Sequence, residues 1–402
     1  MMAIENTLFF KEVSAETLHK YPHLDKYMGL RERIQLREQD KFLRFQLKDF
    51  SLLAANFENF LPQVSREEYK EIYMNILVGR ALLNEETQNP RLIDELDIPN
   101  LEAAVSPGAL PAVFCTYHLG SYRSIIGILG KLGIDFALIV DANTHKNQGE
   151  RIRQQVARFH EAYNKQASFE MLNAESPNSA MELAKCLRDG KSIVIYIDGN
   201  TGNGGIHHKS EQFHLRVPFL GKEINSRKGV AAISWLSKRP IIPVISHYVP
   251  GELRPKVHFL DRIDPLQWAG NPKDFIPETT RSLYGILEHY LVQYYDQWET
   301  WLYLHKYLPE DQKVCERQIP APASGPEALR FSFNANEFEL FKMDEADHYL
   351  FDKRSYATYP IGEDLFYGLH EVRDLDWAAM QTAGFKWPFT LQLIEKGILL
   401  TY

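Results

Sequence analysis

Cysteine is scarce in this sequence. Cys115, Cys186 and Cys315 are the whole supply in 402 residues, too few and too scattered for a disulfide framework. No Cys-x-x-Cys pair offers a redox or zinc motif, so a reducing, cytoplasmic setting is expected. Acidic residues outnumber basic ones, 53 to 45. A formal net charge of −8 argues against a nucleic-acid partner, which needs a basic face, and gives no pull toward an anionic membrane. No apolar run approaches the length of a membrane span, and the first residues, with Glu5, Glu12 and Glu16, lack the apolar core of a signal peptide. Membrane contact is expected to be peripheral at most. Nucleotide signatures are missing too: no glycine cluster precedes Gly-Lys-Ser/Thr in Walker spacing, and there is no Gly-x-Gly-x-x-Gly.

What remains is ordinary globular material. With 45% hydrophobic and 24% charged residues the chain can bury a core, and its length exceeds what one core usually serves. Pro320-Ala-Pro-Ala-Ser-Gly-Pro326 has the composition of an exposed linker. The expected division is therefore a main domain over 1–318, helical in 1–100 and α/β in 101–318, a linker over 319–327, and a small domain over 328–402.

Helical periodicity marks Asp25 to Asp49, with one possible break, and Glu67 to Leu83, for which Ser65 is a good N-cap. Arg and Lys on such faces suit a membrane surface, but amphipathic helices more often pack on a core. From Pro107 the pattern alternates. Strands are expected at Ala112 to Thr116, Asp135 to Val140, Ser168 to Leu172, Ser192 to Ile197, Ile241 to Val249 and Lys256 to Leu260. Helices are expected at Arg123 to Leu132, Glu150 to Gln166, Ser179 to Arg188, Arg227 to Ser237 and Glu278 to Trp298. This predicts an α/β fold, a mostly parallel sheet flanked by helices. Past the linker, strands at Leu329 to Phe333, Glu337 to Phe341 and His348 to Phe351, with helices at Asp364 to Val372 and Phe389 to Lys396, predict a small α+β domain.

The central stretch is Ala112-Val-Phe-Cys-Thr-Tyr-His-Leu-Gly-Ser-Tyr-Arg123, a buried strand, a turn permitted by Gly120, and a helix start. His118 thus stands at a strand end. Ligands collect there in open α/β sheets, and a helix start offers N–H groups to an anion. A single histidine is more often a satisfied structural residue; its position before a glycine is what singles it out. A second informative place is the loop from Gly199 to Val217, where Gly199, Gly202, Gly204 and Gly205 follow Asp198. That composition suits close backbone approach to a ligand or a moving lid, with a plain surface loop as the alternative. The loop holds His207, His208, Glu211 and His214, but His-x-x-Glu-x-x-His is not the helical His-Glu-x-x-His of metalloproteases, so no metal site is expected. Cys115 lies three residues before His118, on the opposite face of a strand, and reads as a buried thiol. Gly120-Ser-Tyr-Arg-Ser is not the Gly-x-Ser-x-Gly elbow, which removes the serine-hydrolase reading.

His118-Leu-Gly-Ser-Tyr122 followed by an amphipathic helix resembles the His-x-Gly-Asn-Trp-acid signature of bacterial lipid A biosynthesis acyltransferases. Ser192 to Gly199, Val217-Pro-Phe-Leu-Gly221, Gly229 to Ser237, Arg239 to Ile245 and Asp296-Gln-Trp-Glu-Thr-Trp301 resemble further elements of that family, in family order over about half the chain. The resemblance implies an acyltransferase-like fold with His118 as general base toward a hydroxyl or amine acceptor, and Asp198 orienting it or holding the acceptor. The donor would be a thioester of acyl carrier protein or coenzyme A, with no permanently bound cofactor. Substrate contacts are expected at Gly120, Ser121, Arg123, Gly199, Asn200, His208, Phe219 and Gly221. One departure stands out: the acid position of the family's His-x4-acid motif is Arg123. A guanidinium there suits the phosphate of a pantetheine arm or an acceptor carboxylate. The competing expectation is a non-catalytic binding protein that retains the fold. The segment past the linker resembles PqqD-like winged-helix modules, which recognise leader peptides. That implies a peptide or carrier-protein partner and an acceptor among peptides or natural-product intermediates. A DNA-binding winged helix is opposed by the segment's Asp and Glu content.

Overall fold

The structure is a computed structural model that describes residues 24–45, 47–106, 108–199, 214–249, 252–312 and 319–402, with isolated positions 15 and 19. Two compact units result, one of residues 1–35 with 71–300, the other of residues 36–70 with 301–402.

Chain order begins with helices α1 (Leu24–Phe45), α2 (Lys48–Phe60), α3 (Tyr69–Glu86) and α4 (Leu101–Ala104). Ser65 caps the short 3-10 turn Arg66–Glu68 that leads into α3, through a reciprocal capping box with Glu68. The α/β part follows as β1 (Val113–Thr116), α5 (Ser124–Leu132), β2 (Phe136–Val140), α6 (Ala142–Ala162), β3 (Phe169–Asn173), α7 (Ser179–Arg188) and β4 (Ser192–Tyr196). It continues with β5 (His214–Phe219), β6 (Lys222–Arg227), α8 (Gly229–Ser237), β7 (Ile241–Val249), β8 (Glu252–Phe259) and α9 (Pro272–Tyr294).

In the first unit six of the described strands form a sheet of order β3-β2-β4-β1-β7-β8, parallel throughout except for antiparallel β8. This is the mixed α/β architecture expected from the alternation. All four residues of β1 are buried, as a central parallel strand covered on both faces requires. Ile125, Ile128 and Leu129 of α5 pack with Phe114, Phe136, Phe159 and Val194 into one core. Emptying a site such as Phe114 would cost about 3–5 kcal/mol.

Three expectations are corrected. The loop expected to run to Val217 instead ends in a β5–β6 hairpin, with Leu220 and Gly221 both at positive φ between paired Phe219 and Lys222. A leucine in a two-residue turn of this kind gives no turn signal, so the hairpin was hidden. Helix α6 starts at Ala142 rather than Glu150, because Asp141 caps it by accepting from Thr144 N at 2.9 Å. Helix α9 starts at Pro272, capped by Asn271, and ends at Tyr294; Tyr295–Gln297 and Glu299–Leu302 are separate 3-10 turns.

The second unit carries β9 (Arg330–Phe333), β10 (Phe338–Lys342), β11 (His348–Asp352), β12 (Thr358–Ile361), α10 (Glu363–Glu371), β13 (Leu375–Asp376), α11 (Trp377–Thr382), α12 (Trp387–Glu395) and β14 (Leu399–Thr401). Two antiparallel sheets, β10-β11-β12 and β13-β9-β14, surround a core that includes Phe331, Leu340, Leu369, Met380 and Leu399. The unit is larger than 328–402. Leu52 and Ala55 of α2 pack on Phe341 and Phe351, Asn59 Nδ2 donates to Lys353 O at 2.9 Å, and Tyr356 Oη donates to Asn56 Oδ1 at 2.8 Å. Among the described residues, no helix is long and apolar enough to cross a membrane.

Candidate active site

Strands β1 and β4 run parallel with Thr116 opposite Tyr196, so the residues two places further on, His118 and Asp198, emerge side by side at the C-terminal edge of the sheet. The His118 N–H donates to both Asp198 oxygens, at 3.1 and 2.9 Å, and His118 Nδ1 lies 2.8 Å from Oδ1. Asp198 is 1% exposed and also accepts from Trp298 Nε1 at 2.7 Å and Thr300 Oγ1 at 3.2 Å. An ionised carboxylate can only accept, so this contact assigns the ring proton to Nδ1 and leaves the Nε2 lone pair on the other side of the ring. The His118 side chain keeps 19% of its surface open. Tyr122 and Tyr196 flank the ring at centroid distances of 4.8 and 4.9 Å, and Gly199 lies against Cε1.

The tail after α9 closes one side of this arrangement. Gly120 N donates to Gln297 O at 3.2 Å and Glu299 N to His118 O at 3.0 Å, which brings Trp298 and Thr300 onto Asp198. The Glu299 carboxylate accepts from Arg80 at 2.8 Å and from Tyr122 Oη at 3.1 Å.

Electrostatics follow from these contacts. Burial alone favours a neutral imidazole, but the charge and hydrogen bond of Asp198, with Glu299 behind, outweigh it and raise the His118 pKa; Arg123 opposes them. Burial likewise works against an ionised Asp198, yet His118 and Trp298 hold its pKa below the ordinary value. Glu299 is held low in the same way, against burial, chiefly by Arg80 and then His118.

Arg123 immediately precedes α5 without a side-chain capping bond, its guanidinium carbon 5.7 Å from the Tyr122 ring centroid. It makes no ion pair with any described residue. The acid that meets His118 therefore comes from the end of β4, and the position of the resembling motif's acid holds a cation.

The other expected contacts divide. Gly199 adjoins the imidazole. Gly120 has φ +55°, and a Cβ there would stand 2.7 Å from Ser246 O and His247 Cα, so it serves close packing of the turn on β7. Ser121, an expected substrate contact, is buried, and its hydroxyl bonds Glu86 and Ser124. Phe219 is likewise buried, between Trp298 at 5.7 Å and Tyr284 at 5.9 Å, and supports the indole rather than lining an opening. Gly221 sits in the hairpin turn with no described residue within 4 Å of its Cβ position. Asn200 and His208 lie outside the described residues, as do His207 and Glu211. Cys115 is fully buried and burial drives its thiol pKa well up, which makes it a poor nucleophile.

Tyr122, Tyr196, Arg80, Trp298, Glu299 and Thr300 were not expected at the site. Tyr196 was accessible from the two-residue period it shares with Asp198, and the tail residues from the Asp296 to Trp301 stretch, which carries the resemblance without naming roles. Among the described residues no group of His, Cys, Asp and Glu is arranged to hold a metal ion. No protein-family model matches this chain, and no curated protein matches it.

Proposed function

We propose that the first unit is an acyltransferase acting on an acyl thioester of acyl carrier protein or coenzyme A. His118 Nε2 takes the proton of a hydroxyl or amine acceptor as that group attacks the thioester carbonyl. The new C–O or C–N bond forms, the C–S bond breaks, and the imidazolium returns the proton to the departing thiolate. The observation that carries this is the buried Asp198 bonded to Nδ1, which orients the ring and stabilises the imidazolium formed in transfer. Burial of Cys115 and Ser121 favours direct attack by the acceptor over an acyl-enzyme. Arg123 suits a phosphate of the pantetheine arm or an acceptor carboxylate.

The second unit is proposed as a winged-helix-like recognition module for a leader peptide or carrier protein, which places the acceptor among peptides or natural-product intermediates. The setting is proposed to be cytoplasmic. A non-catalytic binding protein of the same fold is the second reading, favoured by the cation at Arg123, which works against protonation of His118. The test is thiol release from a series of acyl thioesters by purified full-length chain, with and without hydroxyl and amine acceptors. Acceptor-dependent release supports transfer; no release above buffer with any thioester, together with tight peptide binding, supports the second reading.

A further inference from the structure

Glu86, the last residue of α3, lies buried beneath the site. Its carboxyl accepts from the hydroxyls of Ser121 and Tyr248. Ser121 adjoins Gly120, whose N–H donates to Gln297 O. The Gln297 side chain in turn clamps the Tyr248 backbone, accepting from its N–H at 2.8 Å and donating to its C=O at 3.0 Å. These bonds close a ring through the end of α3, the turn after β1, strand β7 and the 3-10 turn Tyr295–Gln297. His118 stands two residues before Gly120, and its carbonyl accepts from Glu299, two residues after Gln297. The imidazole that must aim Nε2 is thus carried on a segment held from both sides by one ring.

Glu86 is an unusual choice for a purely structural link. No described cation pairs with it; the groups facing it are Ser121 from the turn and Tyr248 from β7. Burial pushes its pKa up to about 7 despite the two hydroxyls that favour the charged form. A buried carboxylate without a counter-charge is expensive, so an apolar or amide residue would stabilise the fold better. What a carboxylate uniquely offers is two acceptor oxygens that fix both hydroxyls at once.

We propose that Glu86 is a positioning residue that, through Ser121 and Tyr248, sets the orientation of the turn bearing His118. The kinetic part of this inference rests on the acyl-transfer reading; the geometric part does not. The experiment compares full-length Glu86→Gln, Glu86→Ala and Tyr248→Phe with wild type, reading the His118 ring nitrogens by 15N NMR, kcat and KM for a thioester, and thermal midpoint as a check of folding. Glu86→Ala should blur the single Nδ1–H tautomer and lower kcat about 10- to 100-fold at nearly constant donor KM, the scale expected for a misplacement near 1 Å. Glu86→Gln, which keeps one acceptor, and Tyr248→Phe, which keeps the Ser121 bond, should fall between. The inference is overturned if folded Glu86→Ala keeps the wild-type His118 spectrum, or if kcat follows only the folded fraction. A wild-type chain inert toward every thioester removes the acyl-transfer reading alone, because the His118 spectrum still decides the positioning.

Discussion

His118 sits among charges that pull in opposite directions, and the balance is measurable. As the proposed base it would have to be neutral to accept a proton, and its raised pKa would put the acid limb of kcat/KM above the ordinary histidine midpoint of about 6.5. Replacing Glu299 by Gln removes a charge that raises this pKa, so the limb should move to lower pH; Arg123→Gln removes one that lowers it, so the limb should move to higher pH. Shifts of the same sign in both variants would show that these charges do not set the titration. Arg123 permits a second comparison. If it contacts a substrate anion, Arg123→Ala and Arg123→Glu should both raise KM for donor or acceptor, Glu the more. A Glu variant faster than Ala would show instead that an acid at this position still assists His118. The pairing of His118 with Asp198 was legible because both close strands of a βα alternation. Trp298, Glu299 and Arg80 were not, because their contacts with the site join residues far apart in sequence and depend on where α9 stops.

At the scale of elements, the turn after β1 is the most constrained piece of the first unit. Gly120 combines a left-handed φ with backbone neighbours that have no flexible end to yield. Gly120→Ala should therefore lower stability by about 1–3 kcal/mol, read as a shift in the urea midpoint, and should reduce kcat by displacing His118. An unchanged midpoint would show that β7 can move aside. The strands that make the parallel core and helix α7 were readable from apolar runs and from the Gly190 stop. Strand β12 was not, since Thr358–Tyr359–Pro360 is exposed and contains a proline, and helix α11 is too short to show a period.

For the whole molecule, the Pro-rich stretch is a poorer boundary than its composition suggests. A linker there would let a cut near Pro322 leave a soluble main domain. Because Phe341 and Phe351 cover Leu52 and Ala55, the cut strips the apolar face of α2, and the truncated chain should aggregate on expression. A monodisperse truncation product with undiminished helix content would contradict this. Stability should also carry the signature of Glu86. Its folded pKa, about 7, exceeds the ordinary 4.5, so the folded chain holds this proton more tightly, and that contribution is present in acid and lost as pH rises from about 4.5 to 7. Up to about 3 kcal/mol is at stake. Glu86→Gln should therefore unfold at higher urea than wild type above pH 7, with the gap closing toward pH 4; a gap independent of pH would show that the carboxyl titrates normally. The central claim, that His118 held by Asp198 is the base of an acyl transfer, is tested most directly by acceptor-dependent thiol release from an acyl thioester in folded wild type and His118→Ala. The account predicts a loss of about 10²- to 10⁴-fold in the variant; retention of more than a tenth of the wild-type rate, under about 1.4 kcal/mol of barrier, would contradict it.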